Sequence, residues 1–188
     1  ATNIGSMQRS GLAQLPTEPQ RLRSMFRSGE LDGFTSGMAP GRVQANLVIL
    51  PAKQAFDFLL FCQRNPKPCP LLEVVEPGSF AEPIRMAPGA DLRTDLSRYR
   101  IYEHGELVEE PTDINMFWQD DMVSFLLGCS FTFESALVNA GISIPHYESG
   151  KNTAMFVTSV ETETAGMFSG PLVVSMRSIP KDKVVKAV

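Results

Sequence analysis

Glycine and proline recur along the whole chain, and no other feature limits its fold as strongly. The 188 residues include 14 glycines and 14 prolines, and both residue types interrupt helices and strands or form turns. A helix bundle is therefore disfavoured. The pattern predicts an irregular, loop-rich α+β fold in which helices pack on a mixed sheet, and two intertwined subdomains are compatible with it.

Composition and charge exclude several classes of protein. Hydrophobic residues make up 43% and charged residues 20% of the chain, as in an ordinary globular domain. The formal net charge of −4 argues against a nucleic-acid binder, because such domains are usually basic. No apolar run approaches the roughly 20 residues that cross a membrane as a helix. We expect one domain that binds neither nucleic acid nor membrane.

The chain start and the cysteine count bear on location. Ala1–Ser6 resembles a cloning scar, because Gly5-Ser6 directly precedes the first methionine, Met7. We therefore expect a single α+β domain over residues 7–188. No basic stretch followed by an apolar core marks a secretory signal. Three cysteines make an odd count, which favours a reducing compartment. The expected location is the cytoplasm.

The spacing of apolar residues predicts the order of the elements. Helices are expected after Pro19 and over Lys53–Gln63, and a hairpin around His104-Gly105. The longest predicted helix covers Asp120–Ala140, because its apolar residues share one wide face. Strands are predicted at Leu71–Val75, Met155–Val160 and Leu172–Met176, and Leu47–Leu50 is predicted to be a short buried strand or the lead-in to a helix.

Two interpretations of Gly128-Cys129-Ser130 depend on whether that long helix is continuous. In a continuous helix, Cys129 lies in the middle of the apolar face and belongs to the core. If the helix breaks at Gly128, Cys129 and Ser130 lie at a new helix N-terminus. Backbone N–H groups there stabilise an anion and lower a thiol pKa. Both interpretations stay open from the sequence alone.

Further polar residues are candidates for binding and acid–base chemistry. Arg93 lies in a stretch of alternating charges and Arg177 closes a strand. Either guanidinium could hold a carboxylate through two parallel hydrogen bonds. His146 and Glu148 lie in one loop, where an imidazole and a carboxylate suit proton transfer. The alternative for each group is a solvated ion pair or an exposed polar turn.

A metal site is not predicted. Cys62 and Cys69 lack zinc-finger spacing, and His104 and His146 are the only imidazoles in the sequence. The chain also has no nucleotide-binding motif. We expect neither a metal nor a cofactor.

Six long segments together are typical of a known family. They are GFTSGMAPGRVQANLVILP, FCQRNPKPCPLLEVVEPG, APGADLRTDLSRYRIYEHGEL, FLLGCSFTFESALVNAGI, PHYESGKNTAMFVTS and AGMFSGPLVVSMR. They resemble the bacterial putative hydro-lyase family, and the same module is similar to the N-terminal part of mitochondrial D-glutamate cyclase. The resemblance extends from about Arg27 to Arg177. Because family members continue well past Val188, it implies a domain truncated at its C-terminal end.

The resemblance implies an enzyme that breaks a C–O bond and releases water from a small carboxylic or amino acid. In the cyclase branch, D-glutamate would become 5-oxo-D-proline. Such a reaction needs proton carriers, a cationic clamp for a carboxylate and donors for an oxyanion. The predicted catalytic residues are His146, Glu148 and Cys129, and the predicted substrate-binding residues are Arg93, Arg177, Ser130 and Asn152.

A second class of function stays open. The chain could be a non-catalytic module that binds an acidic metabolite and presents it to another protein, since no decisive catalytic triad is visible. A small acidic metabolite is the expected partner in both cases. A homodimer is expected from the frequency of dimers among soluble proteins. An active site requires that the candidate side chains converge on one cleft.

Overall fold

The structure, a computed structural model of the chain, describes residues 15–78, 81–146 and 152–188. The segment Ala1–Ser6 lies outside the described residues. The helices are α1 (Pro19–Ser28), α2 (Ala52–Arg64), α3 (Glu134–Asn139) and α4 (Val184–Ala187), with short 3-10 helices at Ser130–Phe133 and Lys181–Lys183. The strands are β1 (Ala45–Pro51), β2 (Leu71–Val75), β3 (Ile101–Glu103), β4 (Glu106–Glu109), β5 (Met122–Gly128), β6 (Ala154–Glu161) and β7 (Pro171–Met176).

The predicted α+β class is confirmed, and its strands form small antiparallel sheets. The prediction of one mixed sheet is wrong. The described part of the chain has a three-stranded antiparallel sheet in the order β1-β5-β2 and two two-stranded ribbons, β3–β4 and β6–β7. The predicted hairpin is confirmed, because β3 and β4 are joined through His104 and Gly105, both at positive φ. Short connections explain the antiparallel pairing within the two ribbons, whereas β1 and β2 pair with β5 across long stretches of chain.

Strand β5 is the centre of the core, and both of its faces are buried. Successive side chains of a strand point to opposite faces. Phe125 faces α2, where its ring lies 4.9 Å from that of Phe58 in an edge-to-face contact. Leu126 faces the other side and packs with Val75 and Leu92. The sheet therefore has a helix on one face and the long loop after β2 on the other.

The prediction of one helix over Asp120–Ala140 is wrong. The segment forms strand β5, then the 3-10 helix, then the six-residue helix α3. A strand buried on both faces is apolar at every position, so its pattern cannot be told from a buried helix by spacing alone. The break falls at Gly128, where the N–H donates to the Pro70 carbonyl at 2.8 Å. An added Cβ there would lie 3.1 Å from the Pro70 ring.

The predicted helix over Lys53–Gln63 is confirmed as α2, and its C-terminal end anchors a distant loop. Phe58 and Cys62 face the core, whereas Phe56 on the opposite side is 72% exposed. Asn65 follows the helix, and its side chain donates to the Glu163 carbonyl at 2.8 Å and accepts the Glu163 N–H at 2.9 Å. These bonds tie the loop between β6 and β7 to α2.

No helix in the described residues is long and apolar enough to span a membrane.

Candidate functional site

A fully buried carboxylate, that of Glu134, lies at the centre of a polar cluster. Its Oε1 accepts hydrogen bonds from Arg177 Nε at 3.0 Å and Nη2 at 2.5 Å, and lies 2.8 Å from His146 Nε2. Its Oε2 accepts the Ser36 hydroxyl at 3.1 Å. Glu134 has no solvent exposure, and His146 is 8% exposed. The three side chains bonded to Glu134 come from distant parts of the chain, so the fold assembles this cluster.

The elements around Glu134 explain its position. Gly128 ends β5, the 3-10 helix turns the chain, and Glu134 begins α3, where a negative charge suits the helix dipole. Arg177 directly follows β7, so its side chain leaves the end of that strand. His146 follows α3 in the chain, and Ser36 precedes β1.

Arg177 is fixed on several sides. Its Nη1 donates to the Ser175 hydroxyl at 2.6 Å, and Ser175 Oγ lies 3.1 Å from Ser130 Oγ. The guanidinium carbon lies 5.0 Å from the ring centre of Phe133 and 5.9 Å from that of Phe131, within the range of cation–π contacts. The side chain is only 6% exposed. These contacts hold the positive charge against Glu134.

The contact between His146 and Glu134 joins the ring nitrogen Nε2 to the carboxylate Oε1 at 2.8 Å. An ionised carboxylate only accepts hydrogen bonds, so the imidazole donates to Oε1 in the tautomer that carries its hydrogen on Nε2. The contact also fixes the orientation of the ring, as a carboxylate does for a histidine in acid–base sites.

The backbone break at Gly128 supports one of the two interpretations of Cys129 only in part. Cys129 precedes the 3-10 helix, so the continuous helix is excluded. However, its N–H already donates to the Gln44 carbonyl at 3.1 Å, and its carbonyl accepts the Thr132 N–H at 3.1 Å. The Cys129 N–H is therefore committed to the fold. The predicted roles of Cys129 and Ser130 stay predictions, with the Ser130 hydroxyl joined to the cluster through Ser175.

Arg93 lies in a different network. Its guanidinium donates to both oxygens of Asp91, Nε at 2.8 Å and Nη2 at 2.7 Å. Nearby, Arg27 holds the buried Asp95 in the same two-pronged way, at 2.6 and 2.7 Å. In the described residues these contacts do not connect Arg93 to Glu134. A substrate clamp at Arg93 would have to act away from the buried cluster.

The ion pair of Asp91 gives a testable pH dependence. Burial raises the pKa of Asp91, but the hydrogen bonds from Arg93 and its charge lower the pKa by more, so the net shift is downward. Such a group stabilises the fold above its unfolded pKa of about 3.9 and loses the effect as the pH falls through the folded pKa. We expect Asp91→Asn to cost up to about 1 kcal/mol at pH 7 and markedly less near pH 2, because the effect is lost only as the pH falls through the lowered folded pKa. Urea unfolding at both pH values measures this, and an equal cost at both would contradict it.

The other predicted site residues have mixed placements. Asn152 Oδ1 accepts the Thr153 N–H at 2.9 Å, and the Thr153 hydroxyl donates to the carbonyl of Met176, the residue before Arg177. Asn152 therefore lies at the end of the β6–β7 ribbon that carries Arg177. Glu148 lies outside the described residues. Of the predicted site residues, His146 and Arg177 both bond to Glu134 Oε1, and Ser130 is linked to Arg177 through Ser175.

Sequence reasoning did not select Glu134, Ser36 or Ser175 as site residues. A usable signal exists for Glu134, because it is the only Asp, Glu, Lys or Arg in the sequence between Asp121 and Glu148. A charged residue in such a segment is buried only with a partner. Nothing comparable marks Ser36 or Ser175. No group of three or more His, Cys, Asp or Glu side chains that could hold a metal occurs among the described residues.

A cleft of about 590 Å³ borders the segment that carries Ser36. Thr35 and Gln44 line this cleft, whereas Glu134, His146 and Arg177 do not. Its apolar lining includes Leu22, Phe26, Leu47 and Leu126, and its basic residues are Arg23, Arg42 and Arg85. The cleft and the buried cluster are thus neighbouring but separate features.

The chain thus combines an α+β fold with a buried carboxylate–imidazole–guanidinium cluster, formed by Glu134, His146 and Arg177. A family model described as D-glutamate cyclase matches residues 123–188, which include Glu134, His146 and Arg177. A protein called putative hydro-lyase from Stutzerimonas stutzeri is 58% identical over 170 residues, which are 90% of this chain and 64% of that protein. One of the same name from Geobacillus kaustophilus is 57% identical over 173 residues, 92% of this chain and 65% of that protein.

These matches confirm the predicted resemblance. The chain is similar to the bacterial putative hydro-lyases over most of its length, and its last 66 residues, 123–188, match the D-glutamate cyclase family model. The chain spans about 64% of the length of the first of these curated relatives.

Proposed function

We propose that the chain carries the proton-transferring centre of a hydro-lyase acting on a small carboxylic or amino acid. The observation that carries this proposal is the 2.8 Å contact between His146 Nε2 and the buried Glu134 carboxylate, which Arg177 also holds. The names of the relatives, putative hydro-lyases, support the same class of reaction. A hydro-lyase needs a group that takes a proton from one position and returns it to the departing oxygen.

The burial of this cluster favours a chemical role over a purely structural one. Moving a carboxylate and a guanidinium out of water costs several kcal/mol for each ion, and the pair often returns no more than apolar residues of the same volume would. The buried imidazole is a further polar group whose removal from water costs free energy. A cluster of this kind is therefore weakly explained by stability, and it has the composition of an acid–base site.

D-Glutamate is the substrate that we propose, following the description of the family model. Its cyclisation forms one bond, from the amine nitrogen to the γ-carboxyl carbon, and breaks one C–O bond at that carbon. Of the three ammonium protons, one stays on the lactam nitrogen and two leave with the oxygen as water. His146 takes these two protons from the nitrogen one after the other and delivers each to the departing oxygen, while Glu134 keeps the imidazole oriented.

Arg177 offers the substrate a cationic edge. A guanidinium has five N–H donors, and three of them are used by Glu134 and Ser175. The α-carboxylate of the substrate would accept from the remaining N–H groups. The guanidinium of Arg177 and the imidazole of His146 both lie next to Glu134. A substrate whose carboxylate lies beside its amine would therefore meet the cation and the proton carrier together.

The decisive experiment is turnover of D-glutamate followed by proton NMR. We expect 5-oxo-D-proline to accumulate with this chain or with the full-length Stutzerimonas relative, which is included because the chain spans 64% of it. Glu134→Gln should abolish the product, whereas Glu110→Gln, at an exposed ion pair with Arg100, should not. If neither protein dehydrates D-glutamate or any acid in a panel of small hydroxy and amino acids, the proposal is wrong.

The cleft favours a second candidate function, a module that binds an acidic metabolite without converting it. Its apolar lining, with Arg42 and Arg85, suits an anion with an apolar body, whereas Arg23 is paired with Asp95 in the same lining. No imidazole lines the cleft. Calorimetric titration with the same acid panel separates the two functions. Binding that is lost in Arg42→Gln or Arg85→Gln, in a protein without turnover, would favour the module.

A further inference from the structure

The β6–β7 ribbon, Ala154–Glu161 paired with Pro171–Met176, exposes apolar side chains on both faces. Phe156 pairs with Val174 on one face and Val157 with Val173 on the other. Val157 is 70% and Phe156 50% exposed. Met155, Val160 and Met176 add to the same surface, each at least half exposed. Apolar residues on both faces are typical of a strand pair that is covered on both sides.

Among the described residues, the contacts that tie the ribbon to the rest of the protein lie near its two ends. At the turn end, Asn65 bonds to Glu163 and the Phe168 ring lies 5.1 Å from that of Phe58. At the other end, Arg177 binds Glu134, and Ser175 meets Ser130. Between these anchors the apolar side chains face solvent, and in the described residues each strand pairs only with the other.

Such a ribbon is poorly stabilised as it stands. A two-stranded hairpin is marginal in water unless a hydrophobic face packs against something. Contiguous exposed apolar surface marks an interaction site in soluble proteins. Each strand also has an outer edge with unpaired backbone N–H and C=O groups, which can accept a further strand.

The relatives indicate what covers it. The matched region is 64% of the Stutzerimonas protein, so more than a third of that relative has no counterpart in the match. We infer that the β6–β7 ribbon is the docking surface for this additional polypeptide of the family, which packs on the apolar faces and extends the sheet. Because Ser175 and Arg177 lie at one end of the ribbon, the docked polypeptide would also fix the site around Glu134. This inference does not depend on the reaction catalysed.

Hydrogen–deuterium exchange on two intact proteins tests the inference. The amides of β6 and β7 should exchange at least tenfold more slowly in the full-length Stutzerimonas relative than in this chain, because they become buried and hydrogen-bonded. The β3–β4 hairpin is the internal control, since it is also a two-stranded ribbon and should exchange at similar rates in both. Equal exchange of β6 and β7 in the two proteins would overturn the inference.

A pair of substitutions gives an independent measurement. Val157→Ser should lower the urea midpoint of the full-length relative, at the aligned position, and leave that of this chain nearly unchanged. Met116→Ser is the matched control, because Met116 is 93% exposed outside the ribbon, and it should change neither protein. If this chain alone protects its ribbon more as its concentration rises, a second copy is the occupant, and the inference is wrong.

Discussion

Replacing Glu134 by alanine is expected to lower the free energy of unfolding by about 3–5 kcal/mol, the cost of removing one partner of a buried ion pair. The carboxylate is fully buried and accepts from Arg177, His146 and Ser36. Without it, the guanidinium of Arg177 stays in a site that is only 6% exposed and has lost its counter-charge. Urea unfolding followed by circular dichroism at neutral pH measures the loss.

Two matched variants separate the buried charge from a general effect of losing a glutamate. Glu110→Ala breaks the ion pair with Arg100, whose side chain is 66% exposed, and should cost less than about 1 kcal/mol. Glu134→Leu combined with Arg177→Met should recover much of the loss, because it removes both charges and refills the space. A cost for Glu134→Ala no greater than that for Glu110→Ala would show that the buried pair does not stabilise the fold.

The elements that the sequence predicts correctly are those with local signals. Pro19 at the start of α1 presets the helical φ, and the helix before Pro66 ends where the residue before a proline disfavours helical geometry. The hairpin at His104-Gly105 and the exposed outer strands follow from turn residues and short apolar runs. In each case the information lies within about ten residues, so tertiary contacts are not needed to predict the element.

The segment from Asp120 to Ala140 was mispredicted because its conformation depends on contacts that are distant in sequence. Met122–Gly128 is apolar on both faces since α2 covers one side and the loop residue Leu92 the other. The strand is stabilised by pairing with β1 and β2, and that pairing overrides the helical spacing of the apolar residues. The sequence also lacks any local signal that Gly128 closely approaches Pro70.

The sequence predicts two side chains of the candidate site, but not the carboxylate at its centre. His146 and Arg177 were selected because imidazole and guanidinium groups carry recognisable chemistry. Glu134 was not, because a charged residue within a predicted amphipathic helix is usually on its solvent-exposed face. Only the chain reversal after β5 brings it into the core, where it meets residues 98 and 43 positions away in the sequence, Ser36 and Arg177. Spacing along the chain cannot show such a convergence.

Replacing His146 by glutamine should lower kcat by about 100- to 10,000-fold, the usual contribution of a general acid–base group. The glutamine amide can still donate to Glu134 Oε1, so the buried carboxylate keeps a partner, but the amide cannot take up and return a proton. The KM should change little, because the lost function belongs to the transition state and not to binding. Initial rates of 5-oxo-D-proline formation by NMR measure both constants.

The control for this variant is His104→Gln, which changes the other histidine at the exposed β3–β4 turn and should leave the rate unaltered. Circular dichroism and urea unfolding establish that His146→Gln is folded before its rate is compared. A folded His146→Gln protein with a kcat within about threefold of the parent would show that another group carries the proton. In that case Glu134, His146 and Arg177 would form a structural cluster, and the cleft lined by Arg42 and Arg85 would be the better place to search for the substrate.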